Sequence, residues 1–269
     1  MGLEYCERKI VKSGLNGDVL RTSPNSLLST IFGDTFILMV SGFNAGAYNM
    51  QLDVELVHKL QEKAIQPVFR LYGWQPWCVS VGYHQNHDHI SSSECSKKGI
   101  ELVRRPTGGR AVLHANEVTY SIITYCDNQQ EFYKNIHTLL LGALQKYSSD
   151  ITFEKNHHDF REFRRINPEM SKMCFTSSAR YELKYQGKKI VGSAQRMYKN
   201  ILLQHGSILL DRSHEKIITL MNNVVEDNKS TLLTRLRNTS TNLEEVTSST
   251  VSWDDCAEQI SSHVYSLLP

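Results

Sequence analysis

The chain lacks any long apolar run. The longest near its start, Phe36–Val40, is a strand's length, far short of the roughly eighteen residues that cross a bilayer. The first residues also lack a basic region followed by an apolar core, and Cys6 stands where a myristoylation pattern needs Ser or Thr. A cytoplasmic protein is therefore expected. Its six cysteines (Cys6, Cys78, Cys95, Cys126, Cys174, Cys256) form no CxxC pair, which argues against a zinc site and a disulfide framework. Nor is there an excess of one charge. Thirty Lys and Arg face twenty-eight Asp and Glu, a formal +2, so a protein that coats nucleic acid is disfavoured and any basic patch must be local. What the 269 residues do have is 40% hydrophobic and 22% charged side chains, the make-up of an ordinary globular protein with a core.

Residues 1–35, rich in Gly, Ser, Asn and Thr, show no sustained period and are expected to be a weakly structured extension. From Phe36 onward the patterns sharpen. Phe36–Val40 reads as a buried strand, and Ala47–Gln61 as a helix with Met50, Val54, Val57 and Leu60 on its core face. Val68–Tyr72 and Trp77–Val81 read as strands, and Ser91–Lys98 as a serine-capped helix. Val118–Thr124 continues as strand, and Phe132–Tyr147 carries a helical stripe of Ile136, Leu139, Leu140, Ala143 and Leu144. Ile151–Met173 is irregular and charged, as a mobile loop would be. Strands are expected at Arg180–Tyr185, Lys189–Ser193 and Ile201–Leu210, with helices at Glu215–Met221 and Trp253–Leu267. Hairpins interrupted by helices predict a mixed α/β sheet.

The most informative stretch is Glu101–Tyr120, ELVRRPTGGRAVLHANEVTY, which reads strand, tight loop, strand. Gly108 and Gly109 let the backbone take positive φ and let a ligand approach its N–H groups. Arg104, Arg105 and Arg110 add fixed charge, a combination that suits an anion as well as a plain glycine turn. Three further segments are candidates for chemistry. Cys174, in MCFTSSARYE, could be a nucleophile if a base or positive charge lies near, although a lone cysteine beside phenylalanine is more often packing. Lys189 precedes the small residues Gly192, Ser193 and Ala194, so a ligand could lie against that strand and meet the lysine; an exposed hairpin lysine is the alternative. His205 and Gly206 interrupt two apolar runs, marking either a base or a histidine held by strand hydrogen bonds. His84, His87 and His89 have no ligand spacing that calls for a metal.

Taken in order, RRPTGG at Arg104–Gly109, KIVGSA at Lys189–Ala194 and HGSILLD at His205–Asp211 resemble the biotin/lipoate protein ligase A/B family over about residues 36–235. GAYNMQLD at Gly46–Asp53 is similar to the family's opening helix. Arg110 stands where ligases carry a third glycine, and RRPTGGRAVLH with Cys174 fifteen residues before Lys189 looks like the octanoyltransferases of the LipM type. Ala115, Gln51, Val54 and Ser178 depart from the family pattern. The resemblance implies an α/β (α+β) fold, a mixed and largely antiparallel sheet flanked by helices, with residues 36–269 as the catalytic domain. It implies transfer of octanoyl from acyl carrier protein, through a thioester on Cys174, to a lysine of a lipoyl domain such as glycine-cleavage H protein or a dehydrogenase E2 subunit. Lys189 would favour the thiolate and orient the carbonyl. Arg104, Arg105, Thr107, Gly108, Gly109, His114, Gly192, Ser193, Ala194, His205 and Gly206 would bind substrate, with Arg104 and Arg105 also steering acidic carriers. No metal or cofactor is implied, ATP and Mg entering only if the chain is instead a lipoate ligase. A monomer with no nucleic-acid or membrane partner is expected. A non-catalytic binder of lipoyl domains or acyl carriers is the remaining alternative.

Overall fold

The computed structural model describes residues 11–12, 17–154, 181–222, 224 and 226–269. The strands are β1 (Val11–Lys12), β2 (Asp18–Arg21), β3 (Thr35–Asn44), β4 (Val68–Trp74), β5 (Cys78–Val81), β6 (Glu101–Arg104), β7 (Val112–His114), β8 (Glu117–Tyr125), β9 (Ile151–Phe153), β10 (Leu183–Tyr185), β11 (Lys188–Lys189), β12 (Val191–Tyr198) and β13 (Ile201–Leu209). The helices are α1 (Leu27–Phe32), α2 (Gly46–Gln61), α3 (Ser92–Lys97), α4 (Gln129–Leu144), α5 (Glu226–Thr239), α6 (Leu243–Thr247) and α7 (Trp253–Ser266). Seven strands form the main sheet in the order β1-β2-β3-β4-β8-β13-β12. All its neighbours are antiparallel except β3 and β4. That parallel pair requires a crossover, which α2 supplies. A second sheet, β6-β5-β7, carries the arginine-glycine loop between β6 and β7.

Because side chains alternate along a strand, the central strands of the main sheet feed two separate cores. Phe69, Leu71, Val118, Tyr120 and Ile122 pack under α1, α4 and α7. Val68, Ile123, Ile201 and Leu203 pack on the other face under Leu56, Val57 and Leu60 of α2. Coverage on both faces explains why β8 is buried from Glu117 to Thr124 and β13 along its whole length.

Four places differ from the sequence expectations. Residues 17–35 are ordered: β2 pairs with β3, and α1 is capped by the Ser26 hydroxyl, which accepts from the Ser29 N–H. Polar turns hid a short apolar set, Leu20, Leu28, Ile31 and Phe32, that joins the main core. In α2 the core face carries Asp53, fully buried, where Val54 was expected. Helix α5 forms between the expected helices at Glu215–Met221 and Trp253–Leu267, where no element was expected, because Leu232 and Leu236 reach the small-sheet core. The segment expected as a helix at Glu215–Met221 is a 3-10 helix over Arg212–Leu220. The expected loop beyond Glu154 and Cys174 lie outside the described residues.

Phe32 is 3% exposed, and its ring stacks on Phe36 with centroids 4.2 Å apart. Phe32→Ala should therefore destabilise the protein by about 3–5 kcal/mol in chemical denaturation. A loss below about 0.5 kcal/mol, the range of surface changes, would mean the segment is not docked.

Candidate active site

A cavity open to solvent on one side, with about 440 Å³ of empty space counting its mouth, lies where α2, the small sheet and the β12-β13 hairpin meet. Met50, Tyr72, Trp74 and Val112 give it apolar walls, and Arg105, Gly109, His114, Thr119, His205 and Ser207 give it polar ones. Gly192, Ser193, Ala194 and Gly206 complete the lining. Register explains that last group. Ser193 pairs with Gly206, and Ala194 with His205, across the hairpin.

The loop after β6 is built rather than loose. Arg105, 4% exposed, turns its guanidinium inward and donates to the carbonyls of Ser80, Gly108 and Arg110 at 2.7–3.1 Å. This corrects the expectation that Arg105 steers partners at the surface. Arg104 is exposed, and its Nη1 donates to the carbonyls of Gly82, Tyr83 and Gln85, each at 2.8 Å. Gly109 has φ +94°, a conformation that costs other residues strain. Gly82 lies so close beneath it that a Cβ there would come within 2.0 Å of the Gly109 oxygen. With the Gly108 oxygen committed to Arg105, the N–H groups of Gly108 and Gly109 have no hydrogen-bond partner among the described residues. The amide of the cavity-lining Gly109, with that of Gly108 beside it, is what an incoming oxygen would use.

Beneath the cavity, the Asp53 carboxylate is fully buried and ringed by donors. Arg70 Nη1 donates to Oδ1 at 3.0 Å and Ser121 Oγ at 2.9 Å, while Tyr72 Oη donates to Oδ2 at 3.2 Å. His205 Nδ1 stands 3.4 Å from Oδ2, and its Nε2 is 2.5 Å from Thr107 Oγ1. Burial alone would raise Asp53, but the hydrogen bond from His205 and the charge of Arg70 hold it below the ordinary carboxylate value. Burial lowers His205, with Arg105 and His114 adding to the effect and Asp53 opposing it. Asp53 thus takes the Nδ1–H of a neutral imidazole, whose Nε2 accepts the Thr107 hydroxyl proton. A second buried group shapes the opposite wall. His114 stacks on Trp74 with centroids 4.0 Å apart and links Ser80 Oγ (2.7 Å) to Glu117 Oε1 (2.7 Å).

Lys189 is buried, not an exposed hairpin lysine, and its Nζ is 2.5 Å from Glu182 Oε1. Lys189 does not line the cavity. Ser193 engages its hydroxyl on the α4 side of the sheet, 2.9 Å from His137 Nε2 and 2.7 Å from Tyr120 Oη, so it meets the cavity through its backbone. Of the expected site residues, the fold therefore brings Arg105, Gly109, His114, Gly192, Ser193, Ala194, His205 and Gly206 to one cavity. Thr107 and Gly108 stand just behind its rim, Arg104 lies outside and Lys189 sits on the α4 side. Sequence reasoning missed Asp53, Arg70, Trp74, Glu117 and His137. The available signal was charge on a core-facing stripe: Asp53 follows Met50 by three positions, and His137 precedes Leu140 by three. No group of three or more His, Cys, Asp or Glu placed to hold a metal occurs among the described residues, and no helix there is long and apolar enough to cross a membrane.

Burial and the neighbouring Lys189 charge push His137 down to about 3, and burial also lowers His214. Below the ordinary histidine value of 6.5, the unfolded chain therefore binds protons that the folded protein refuses, so stability falls as pH drops from about 6.5 toward 5. Each such histidine can add a slope of at most about 1.4 kcal/mol per pH unit. Denaturant titrations across that window should show this slope in the parent protein and a shallower one in His137→Phe. An equal slope in both would contradict the burial of a neutral His137.

The sequence family described as the lipoyl protein ligase A/B catalytic domain matches residues 45–265. The chain is 35% identical over 229 residues to octanoyltransferase LipM of Bacillus subtilis, covering 82% of each chain. It is 37% identical over 194 residues to the LipM of Kyrpidia tusciae, covering 70% of each. In fold it is similar to the bipartite lipoate protein ligase of Thermoplasma acidophilum, at a TM-score of 0.61 and 18% identity over 86% of this chain and 82% of that one. With its sheet, its arginine-glycine loop and its GSA and HGS strands assembled around one cavity, the chain belongs to the lipoyl protein ligase A/B catalytic domain family.

Proposed function

We propose that the protein is an octanoyltransferase of protein lipoylation that works through a covalent enzyme thioester. The observation that carries this reading is the cavity itself: apolar walls for an acyl chain end at Gly109, whose amide and that of the adjoining Gly108 have no hydrogen-bond partner among the described residues. Identity of 35% to a LipM octanoyltransferase over 82% of the chain supports the same donor chemistry. Met50, Tyr72, Trp74 and Val112 would hold the chain, each buried methylene contributing about 0.8 kcal/mol. The N–H groups of Gly108 and Gly109 would meet the carbonyl oxygen, which gains charge as the tetrahedral intermediate forms.

The reaction has two balanced halves. In the first, the Cys174 thiolate adds to the octanoyl thioester carbonyl of acyl carrier protein; the intermediate expels the carrier's thiolate, which takes up a proton. In the second, the ε-amine of a lipoyl-domain lysine adds to the octanoyl-cysteine carbonyl, loses a proton and expels the Cys174 thiolate, leaving an amide. The amide is the more stable product, so the sequence is drawn forward. The charge of Lys189 would favour the Cys174 thiolate. Because the family also includes lipoate ligases, the second reading is ATP-dependent activation of free lipoate.

Incubation with octanoyl carrier protein and no ATP should add one octanoyl group to the intact mass, removable by hydroxylamine, and Cys174→Ala should not gain it. An adduct on Cys174→Ala would overturn the nucleophile. Transfer of free lipoate to a lipoyl domain only when ATP is supplied would favour the ligase.

A further inference from the structure

The octanoyl-transfer reading leaves Asp53 unassigned, yet Asp53 is a fully buried carboxylate with four side-chain partners. It lies on α2, away from the cavity lining, and reaches the rim through two intermediates. His205 on β13 joins it to Thr107, and Thr107 directly precedes Gly108 and Gly109. Each joint is buried: Asp53 and Thr107 are 0% exposed and His205 is 6% exposed. The charged groups facing His205 are Asp53, Arg105 and His114.

From this arrangement we infer that Asp53 is a positioning residue, which through His205 and Thr107 holds the Gly108–Gly109 amides in place for the acyl carbonyl oxygen. The order of donors makes the chain directional. Asp53 already accepts from Arg70, Tyr72 and Ser121, so as a carboxylate it can only accept from His205 as well. The imidazole proton is then fixed on Nδ1, Nε2 becomes an acceptor, and the Thr107 hydroxyl has one partner toward which to turn. Other bonds hold the same two peptides from the side of the small sheet, the Tyr83 N–H donating to the Thr107 oxygen at 2.9 Å and Arg105 to the Gly108 oxygen. Arg105 grips the carbonyls of Gly108 and Arg110, and Arg196 Nη1 donates to the Pro106 oxygen at 2.8 Å. The Thr107 side chain is therefore the loop's tie to the β13 strand that forms the facing wall. A hydroxyl fixed on one buried, singly oriented acceptor helps to keep its backbone neighbours within the fraction of an ångström that oxyanion donors need.

The inference rests on the proposed octanoyl transfer, and a double-mutant cycle separates the two. If the parent protein forms no octanoyl adduct, the functional reading fails first. If it does, Thr107→Val, which keeps the volume and removes the hydroxyl, should lower kcat about tenfold, the worth of one hydrogen bond. KM for octanoyl carrier protein should stay within about twofold, and Thr107→Ser should restore kcat. Asp53→Asn should lower kcat as well, but in the Thr107→Val background it should add little, because both act through one chain. Should Asp53→Asn fail to fold, nitrogen NMR of the parent protein still decides: His205 should carry its proton on Nδ1 and none on Nε2. Parent-like kcat in Thr107→Val, additive losses in the double variant, or a proton on His205 Nε2 would each overturn the inference.

Discussion

The buried carboxylate of Asp53 joins the parts from which the site is made. It lies on α2, and its partners come from β4 (Arg70, Tyr72), β8 (Ser121) and β13 (His205). Arg70 extends the tie, stacking 3.9 Å from the centre of the Tyr72 ring and bonding Asn49 and Ser41. Pairs of this kind seldom add net stability against an apolar core, because desolvating two charges costs about as much as their attraction returns. Removing one partner is another matter, since the charge left behind has no water to turn to. The crossover helix is thereby fixed in one register over the strands that carry the cavity.

The alternation of the main sheet places two polar systems back to back. Ser121, His205 and Ala194 share the α2 face with the cavity, whereas their neighbours Tyr120, Gly206 and Ser193 face α4. There, Gln204 Nε2 donates to the Tyr120 oxygen, and Ser193 stands between Tyr120 and His137. Gly206 is what allows this, since a Cβ at that position would lie 2.6 Å from the Ser193 hydroxyl. One glycine thus leaves the cavity side a smooth backbone wall and the far side room for a hydrogen-bonded hydroxyl. The Lys189–Glu182 pair adjoins this second system through the effect of its charge on His137.

The arginine-glycine loop, the small residues at 192–194 and the interrupted apolar run at 205–206 were legible in the sequence, because each departs from what a plain strand requires. Their convergence on one cavity is what the fold adds. Arg105 was misread because charge in a loop suggests solvent, whereas here the carbonyls of its own loop need a donor more than the surface does. Asp53 was passed over because an aspartate beside valine reads as the wet side of a helix; only the strands beneath show four donors waiting for it. Residues 17–35 dock through Leu20, Leu28, Ile31 and Phe32, a set too short to produce a period among its turns.

The central claim, that this cavity receives the acyl chain with its carbonyl at the glycine loop, is tested most directly by a crystal structure of the protein after loading from octanoyl carrier protein. The octanoyl chain should run along Met50, Tyr72 and Trp74, with its carbonyl oxygen about 3 Å from the N–H of Gly108 or Gly109. An acyl group bound elsewhere, with these walls closed and the two amides unoccupied, would contradict it.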